Sequence, residues 1–368
     1  MLVVDAVREL WRPLLAILAI MATTSCASEL GVFARLAAAI EPRTRGPVRH
    51  AFRLVFVLAA LTAATLSNDA AILLVTPVIL ELLRAVYPRR NPKFLVPFAF
   101  AVFTAAGVAP LPTGNPMNLV VAERAGISFN AYVVHMLPVA LAGWVVAYLA
   151  LAWYFRDALA DEAPALGDAP PVRHLTRHAR IVLLITAASL VSYPILAALD
   201  LGVWPVATLS AAASIAVTAS SGVSLRQIAR GISWELVPFL LVVFVVAMLL
   251  ARAGVTATLA DLYAHSAAPL PTVGAVAAAG SAILNNHPMA LLHSIALAGA
   301  PDRLVYAALV GGDLGPRLLP IGSLAGILWL HSLRRASVHV PLATFVRVGL
   351  VVTVPSLIVS LTVLRMLG

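Results

Sequence analysis

Two aspartates interrupt otherwise apolar stretches of this chain, and any chemistry would begin with them. Asp69 closes the run Leu66-Ser67-Asn68-Asp69, and Asp313 sits in Gly311-Gly312-Asp313-Leu314-Gly315-Pro316 with Arg317 just beyond. An acid deep in an apolar stretch is costly and is usually functional. Removal from water disfavours the charged form of a carboxyl, which suits a group that loads and unloads protons. Asp69 has no arginine beside it and is the better proton carrier, against a role as a structural cap. For Asp313, a pair with Arg317 that only shapes the loop competes with contact to solute or proton.

Neutral polar groups surround these acids in sequence. Ser67 and Asn68 precede Asp69; Asn285 and Asn286 precede His287; Thr113, Gly114 and Asn115 lie between prolines; Gly322 and Ser323 follow Pro320. Asparagine and serine supply uncharged donors and acceptors. Proline and glycine keep a helix from closing over its own end groups, so N–H and carbonyl groups stay available there. His287 reads equally as a proton relay or as a hydrogen-bonded structural histidine. Asn286, His287 and His293 do not supply three convergent metal ligands, so no metal or other cofactor is expected. The single cysteine, Cys26, excludes an intrachain disulfide and a thiolate cage, and reads as a small packing residue. No Walker motif, phosphate loop or Ser/His/Asp signature occurs, so the chain is not expected to be an enzyme or to hydrolyse ATP itself.

The elements that position these residues must lie in lipid. The 368 residues are 61% hydrophobic and 11% charged, far from the roughly 25% charged of soluble domains. Apolar runs near the roughly 20 residues needed to cross a bilayer recur along the chain. Backbone groups in hydrocarbon must bond internally, so the expected fold is all-α and polytopic. The net charge of +9 sits in short loops, where it signals topology rather than nucleic-acid binding. Loops 43–53, 84–93, 156–180 and 226–230 are expected in the cytoplasm, with Arg124 and Arg252 outside. No cleavable signal peptide is read at the N-terminus.

The spacing predicts a first span at 13–28, an amphipathic stretch at 29–40, a re-entrant hairpin at about 54–83 with arms too short to cross, and a broken span at 94–126. A span at 131–155, a polar cytoplasmic linker and spans at 179–198, 203–219 and 233–250 follow. A second amphipathic stretch (251–264), a second hairpin (270–299), a second broken span (303–330) and a last span (344–367) complete the chain. Three elements recur in order: Gly31–Ala37 with Gly254–Ala260, Leu66-Ser67-Asn68-Asp69 with Leu284-Asn285-Asn286-His287, and Leu111-Pro112-Thr113-Gly114-Asn115 with Leu319-Pro320-Ile321-Gly322-Ser323. An odd number of crossings separates the units, so the second is inverted, the architecture of secondary transporters. The expected units are 1–156 and 179–368, joined by the linker 157–178. The first unit lacks a counterpart for two helices, as if two N-terminal scaffold helices were missing.

Gly312-Asp313-Leu314-Gly315-Pro316-Arg317, followed by Pro320-Ile321-Gly322-Ser323-Leu324-Ala325 and Leu328-Trp329-Leu330-His331, resembles the ArsB arsenite-efflux family of a larger ion-transporter superfamily. Asn68-Asp69-Ala70-Ala71 with Thr76-Pro77, and Leu284-Asn285-Asn286 with Pro288, also look like that family. The loop Thr113-Gly114-Asn115-Pro116-Met117-Asn118-Leu119 is closer to other branches. The resemblance implies an inner-membrane carrier that extrudes arsenite or antimonite against protons. It admits a soluble ATPase subunit and a homodimer as partners. The residue reading places the solute site at Ser67, Asn68, Asp69, Thr113, Gly114, Asn115, Asn285, Asn286, Gly322 and Ser323, with Asp69 and Asp313 coupling protons. The alternatives are Na⁺/H⁺ antiport or carboxylate transport, the latter opposed by an acid at the site, and a degenerate membrane protein that transports nothing.

Overall fold

The computed structural model describes residues 2–32, 35, 47–65, 67–68, 71–87, 91–160, 174–197, 204–232, 234 and 236–368. Every regular element among them is helical. Ahead of the linker lie α1 (Leu2–Glu29), α2 (Val48–Thr65), α3 (Thr76–Val86), α4 (Val96–Ala105), α5 (Pro116–Arg124) and α6 (Phe129–Tyr154), the part expected to form the first unit. A π-helical turn, Ala71–Val75, leads into α3. Then come α7 (Arg177–Ala197), α8 (Trp204–Ser220), α9 (Leu225–Arg230) and α10 (Leu236–Arg252). The chain ends with α11 (Val255–Ala264), α12 (Pro269–Leu284), α13 (Asn286–Ala296), α14 (Asp302–Leu314), α15 (Leu324–Arg335) and α16 (Leu342–Met366). Most of the stretch expected to be amphipathic at 29–40, and 161–173 of the linker, lie outside the described residues.

Both hairpin regions and both broken spans appear as helix, break, helix. One expectation needs correction. The first hairpin arm begins at Val48, not at 54, and its 18 residues are long and apolar enough to cross a membrane. Helix takes in residues 48–53 of the basic loop because Arg49 and Arg53 project outward, while Val48, Ala51, Phe52 and Val55 are buried. The other arms are shorter: α3 and α13 have 11 residues each, about 16 Å at 1.5 Å per residue. Helices α6 and α16 are also long and apolar enough to cross.

The buried residues form two cores, and each draws on both units. One joins α5, α12, α13 and α14 to the N-terminal half of α6 (Tyr132, Met136, Val139) and the C-terminal end of α16 (Leu361, Leu364). The other joins α2, α3, α4 and α15 to the opposite ends of these helices: Ala147 and Leu151 of α6, and Phe345, Val348 and Val352 of α16. Helices α6 and α16 pack side by side, and Gly143, near the middle of α6, faces Ser360 in the C-terminal third of α16. They are therefore antiparallel, and the two hairpins sit at opposite ends of them. Val48, Val86, Leu95, Leu159, Ala179 and Ile228, which flank the basic loops, all belong to the second core. Ile127, Tyr263, Leu297 and Val305 belong to the first. Cys26 is fully buried in the second core, as a packing residue should be.

Close packing of small residues brings the interior helices together, as is common where lipid supplies no hydrophobic drive between them. Helix α14 lies on α12 with glycine at the contact. A methyl on Gly311 would fall 2.7 Å from Ala277 Cβ, and one on Gly315 would fall 2.9 Å from Ala278 Cα. Gly312, one residue along, has only Ser281 Oγ nearby, at 3.9 Å.

Two outcomes follow. Gly311→Ala should lower the melting temperature of the detergent-solubilised protein, by about 1–3 kcal/mol of overpacking, while Gly312→Ala should change it little; equal effects would refute the seam. In a Cys26→Ala background, Ser221→Cys and Ala267→Cys, both at exposed positions, should react with an impermeant thiol reagent from opposite faces, Ser221→Cys from the cytoplasm. Labelling of both from one face would contradict the two-ended fold.

Candidate functional site

The two breaks share one backbone design. In the first, α4 stops at Ala105, Leu111 is extended, Pro112–Gly114 makes a 3₁₀ turn, and Asn115 is extended again (φ −142°, ψ 129°). The side chain of Asn115 then caps α5 by accepting from Met117 N at 3.1 Å. In the second, α14 stops at Leu314, Leu319 is extended, Pro320–Gly322 makes the 3₁₀ turn, and Ser323 is extended (φ −149°, ψ 152°). Ser323 Oγ caps α15 by accepting from Gly326 N at 2.9 Å. Proline at the first position of each turn removes a donor and pre-sets φ, so the helix cannot run through. The first break lies near mid-height: Trp144 Nε1, from the middle of α6, donates to the carbonyl of Ala105 at 2.8 Å.

Asp313 and Arg317, the acid and the base beside the second break, both end on this first break. Asp313 is 6% exposed. Its Oδ2 accepts from Ala109 N at 3.0 Å and from Asn118 Nδ2 at 2.8 Å, and its Oδ1 accepts from Asn115 Nδ2 at 2.6 Å. Arg317 is buried, and its Nη2 donates to the carbonyl of Thr104 in the last turn of α4. Among the described residues no ion pair within 4.0 Å joins Asp313 to Arg317. The expected alternative, a loop-shaping pair, is therefore not formed. Instead the carboxylate sits at the start of α5, the positive end of a half-helix, and the guanidinium at the end of α4, a negative one.

The hairpin tips join the breaks. Asn68 Nδ2 donates to the carbonyl of Gly107 at 2.9 Å, which ties the first tip to the first break. Asn285 Nδ2 donates to the carbonyl of Ile321 at 3.2 Å, which ties the second tip to the second break. Asn285 holds φ 95° and ψ 145°, a region of backbone that non-glycine residues enter only under constraint. Its Oδ1 also accepts from His287 N at 3.2 Å. Asn286 is buried and its Oδ1 accepts from His287 Nδ1 at 2.7 Å. Ser67 is half-buried and Thr113 is buried beside the first tip and break. A methyl on Gly114 would meet Ala109 Cβ at 3.0 Å, and one on Gly322 would meet Pro316 Cα at 2.7 Å, so both glycines permit close approach. Asp69 lies outside the described residues.

The residues expected at the site thus fall into two groups. Asn68, Asn115 and Asp313 converge on the first break; Asn285, Asn286, Gly322 and Ser323 line the second. Two residues in the hydrogen-bond network of the buried acid are not among those expected at the site. Asn118 donates to Asp313, and the same amide nitrogen donates to Tyr132 Oη at 2.8 Å, whose hydroxyl donates to the carbonyl of Ala109 at 3.1 Å. The available signal was a polar residue in the first turn of the apolar half-helix Pro116-Met117-Asn118.

Comparison with known proteins supplies the context. A family model described as ArsB, arsenical pump membrane protein, matches residues 2–367. The chain is 29% identical over 378 residues to an arsenical pump membrane protein of Escherichia coli, covering 97% of this chain and 86% of that protein. It is 28% identical to one of Yersinia enterocolitica, with the same coverage. The crystal structure of the Alcanivorax borkumensis YdaH transporter is similar in fold, with a TM-score of 0.65 at 17% identity, covering 99% of this chain and 86% of that one.

The hydrogen-bond pattern around the carboxylate sets an expectation. Asn118→Leu removes one donor from a buried acid and should cost about 1.5–3 kcal/mol, read as a fall in melting temperature in detergent. Tyr132→Phe removes a neutral bond and should cost less, about 0.5–1.5 kcal/mol. The reverse order would contradict the network.

Proposed function

The chain belongs to the ArsB family of arsenical pump membrane proteins, a multi-pass inner-membrane transporter rather than an enzyme, and from that membership we propose that it exports arsenite or antimonite in exchange for protons. The observation that carries the proposal is the Asp313 carboxylate. It is buried at a helix break, and every hydrogen bond it accepts comes from a neutral donor: one backbone N–H and two asparagine amides. A carboxylate held this way can take up and release a proton without first breaking an ion pair. Asp69 is a second proton carrier in this reading, on sequence grounds alone. Arsenous acid is neutral near pH 7, and its hydroxyls match the asparagine, serine and backbone groups of the tips and breaks. The proposed solute site is therefore neutral and polar: Ser67, Asn68, Thr113, Gly114 and Asn115 at one break, Asn285, Asn286, Gly322 and Ser323 at the other. The units 1–156 and 179–368, joined by 157–178, act in this reading as the two inverted halves around the sites. A soluble ATPase subunit and a homodimer belong to the same reading as partners.

Everted membrane vesicles test it. Energised by a pH gradient, vesicles with the wild-type protein should accumulate arsenite and lose part of the gradient when arsenite is added. Asp313→Asn should do neither while reaching the membrane in normal amount. Full proton-coupled accumulation by Asp313→Asn would remove Asp313 from the mechanism, and no accumulation by the wild type would remove arsenite.

A further inference from the structure

The carbonyl end of α4 already holds a cation, and it belongs to the protein. The last turn of a helix has carbonyl oxygens without intrahelical partners and the negative end of the helix dipole. In transporters built from discontinuous helices, such ends and the unwound carbonyls beside them are where coupling cations bind. Here Arg317 reaches that place from the other unit. Its side chain is 3% exposed, its Nη2 donates to the carbonyl of Thr104, and its guanidinium lies against Gly107, so close that a methyl there would collide with it. The carbonyl of Gly107 itself is taken by Asn68 Nδ2. Its Nε and Nη1 have no hydrogen-bond partner among the described residues, and Asp313 is not within ion-pair distance. The helix end is therefore the hydrogen-bond partner that the guanidinium has, with the Asp313 carboxylate acting on it only across a longer distance. In the second break the residues aligned by the repeat with Asp313 and Arg317 run the other way: Ala105 and Ala109 of the first unit carry no charge to it.

We propose that the Arg317 guanidinium is a built-in cation occupying the cation position at the carbonyl end of α4, so that this helix end binds no free sodium or other metal cation. Glycine at 107 leaves room for the planar head, and Gly349 of α16 allows close approach to the Arg317 backbone, where a methyl would come within 3.2 Å of Leu318 Cα. The inference concerns cation occupancy and does not depend on which solute is exported.

The test is thermal stability of the purified full-length protein in matched concentrations of sodium chloride, dilute guanidinium chloride and choline chloride. The wild type should melt at the same temperature in sodium and choline. Arg317→Ala should melt lower in choline and recover most of the loss in sodium or guanidinium, because the emptied seat then takes a small cation. Gly107→Ala should lower the melting temperature of the wild type and have little effect on top of Arg317→Ala. A sodium-specific rise in the wild type, or an Arg317→Ala protein that folds and responds to neither cation, would overturn the inference. If Arg317→Ala yields no folded protein, Arg317→Lys decides in its place: a melting temperature equal in sodium and choline supports a seat filled from within, and a sodium-specific rise overturns it.

Discussion

A helix opened inside lipid leaves backbone donors and acceptors that water cannot reach, and the protein has to satisfy them itself. Each one left bare costs several kcal/mol. At the first break the answer is a pair of opposite charges that do not pair with each other. Asp313 takes the N–H of Ala109 and the amides of Asn115 and Asn118 at the start of α5. Arg317 donates to the carbonyl of Thr104 at the end of α4. A lone buried charge costs several kcal/mol, and at this break the opened helix ends offset that cost for both side chains.

Meeting that requirement shapes the packing around it. Asp313 and Arg317 stand at the end of α14, so α14 has to approach the first break while lying flat on α12. Gly311 and Gly315 make the second contact possible, and Gly349 of α16 gives way to the backbone of Arg317. The reciprocal arrangement of the halves follows the same logic. α13 packs on α5, and α15 packs on the π-helical turn ahead of α3. Each hairpin is thus completed by the second half of the other unit's broken helix, and neither unit encloses a core alone. Aromatic contacts secure one of these joints: Trp329 of α15 stacks on Phe103 of α4, with centroids 4.6 Å apart.

Much of this was legible in the sequence because lipid narrows the choices. Apolar runs had to be helices, and Pro112-Thr113-Gly114 and Pro320-Ile321-Gly322 had to be breaks. The recurrence of the tips and breaks placed hairpins and broken spans in register. The start of α2 is not legible in the sequence because Arg49 and Arg53 look like loop residues until an exposed helix face is available to them. The Asp313–Arg317 question could not be settled from four-residue spacing, since α14 tightens into a 3₁₀ turn over Gly315–Arg317 and the two side chains bond to different helix ends. Asn118 and Tyr132 escaped notice for a related reason. Their role comes from a contact made almost two hundred residues away in the chain, and nothing local to Asn118 marks it beyond being polar in an apolar half-helix.

The charged link and the neutral links respond differently to a proton, and that difference is what a proton-driven carrier of this shape can use. Asn68 to Gly107 and Asn285 to Ile321 are neutral bonds worth about 0.5–1.5 kcal/mol each, and a proton in solution leaves them unchanged. The three bonds to the Asp313 carboxylate are worth about 1.5–3 kcal/mol each. Protonation removes the charge from all three and places a hydrogen where an acceptor lone pair was, opposite an N–H that can only donate. A loss of even 2–4 kcal/mol is roughly a 30- to 1000-fold change in a two-state equilibrium, within reach of the about 5.5 kcal/mol that separates 1:99 from 99:1. On the proton-coupled reading, the tie between α14 and the first break is therefore the element a proton can loosen, while Arg317 stays charged on the end of α4 and keeps the break from closing into a continuous helix.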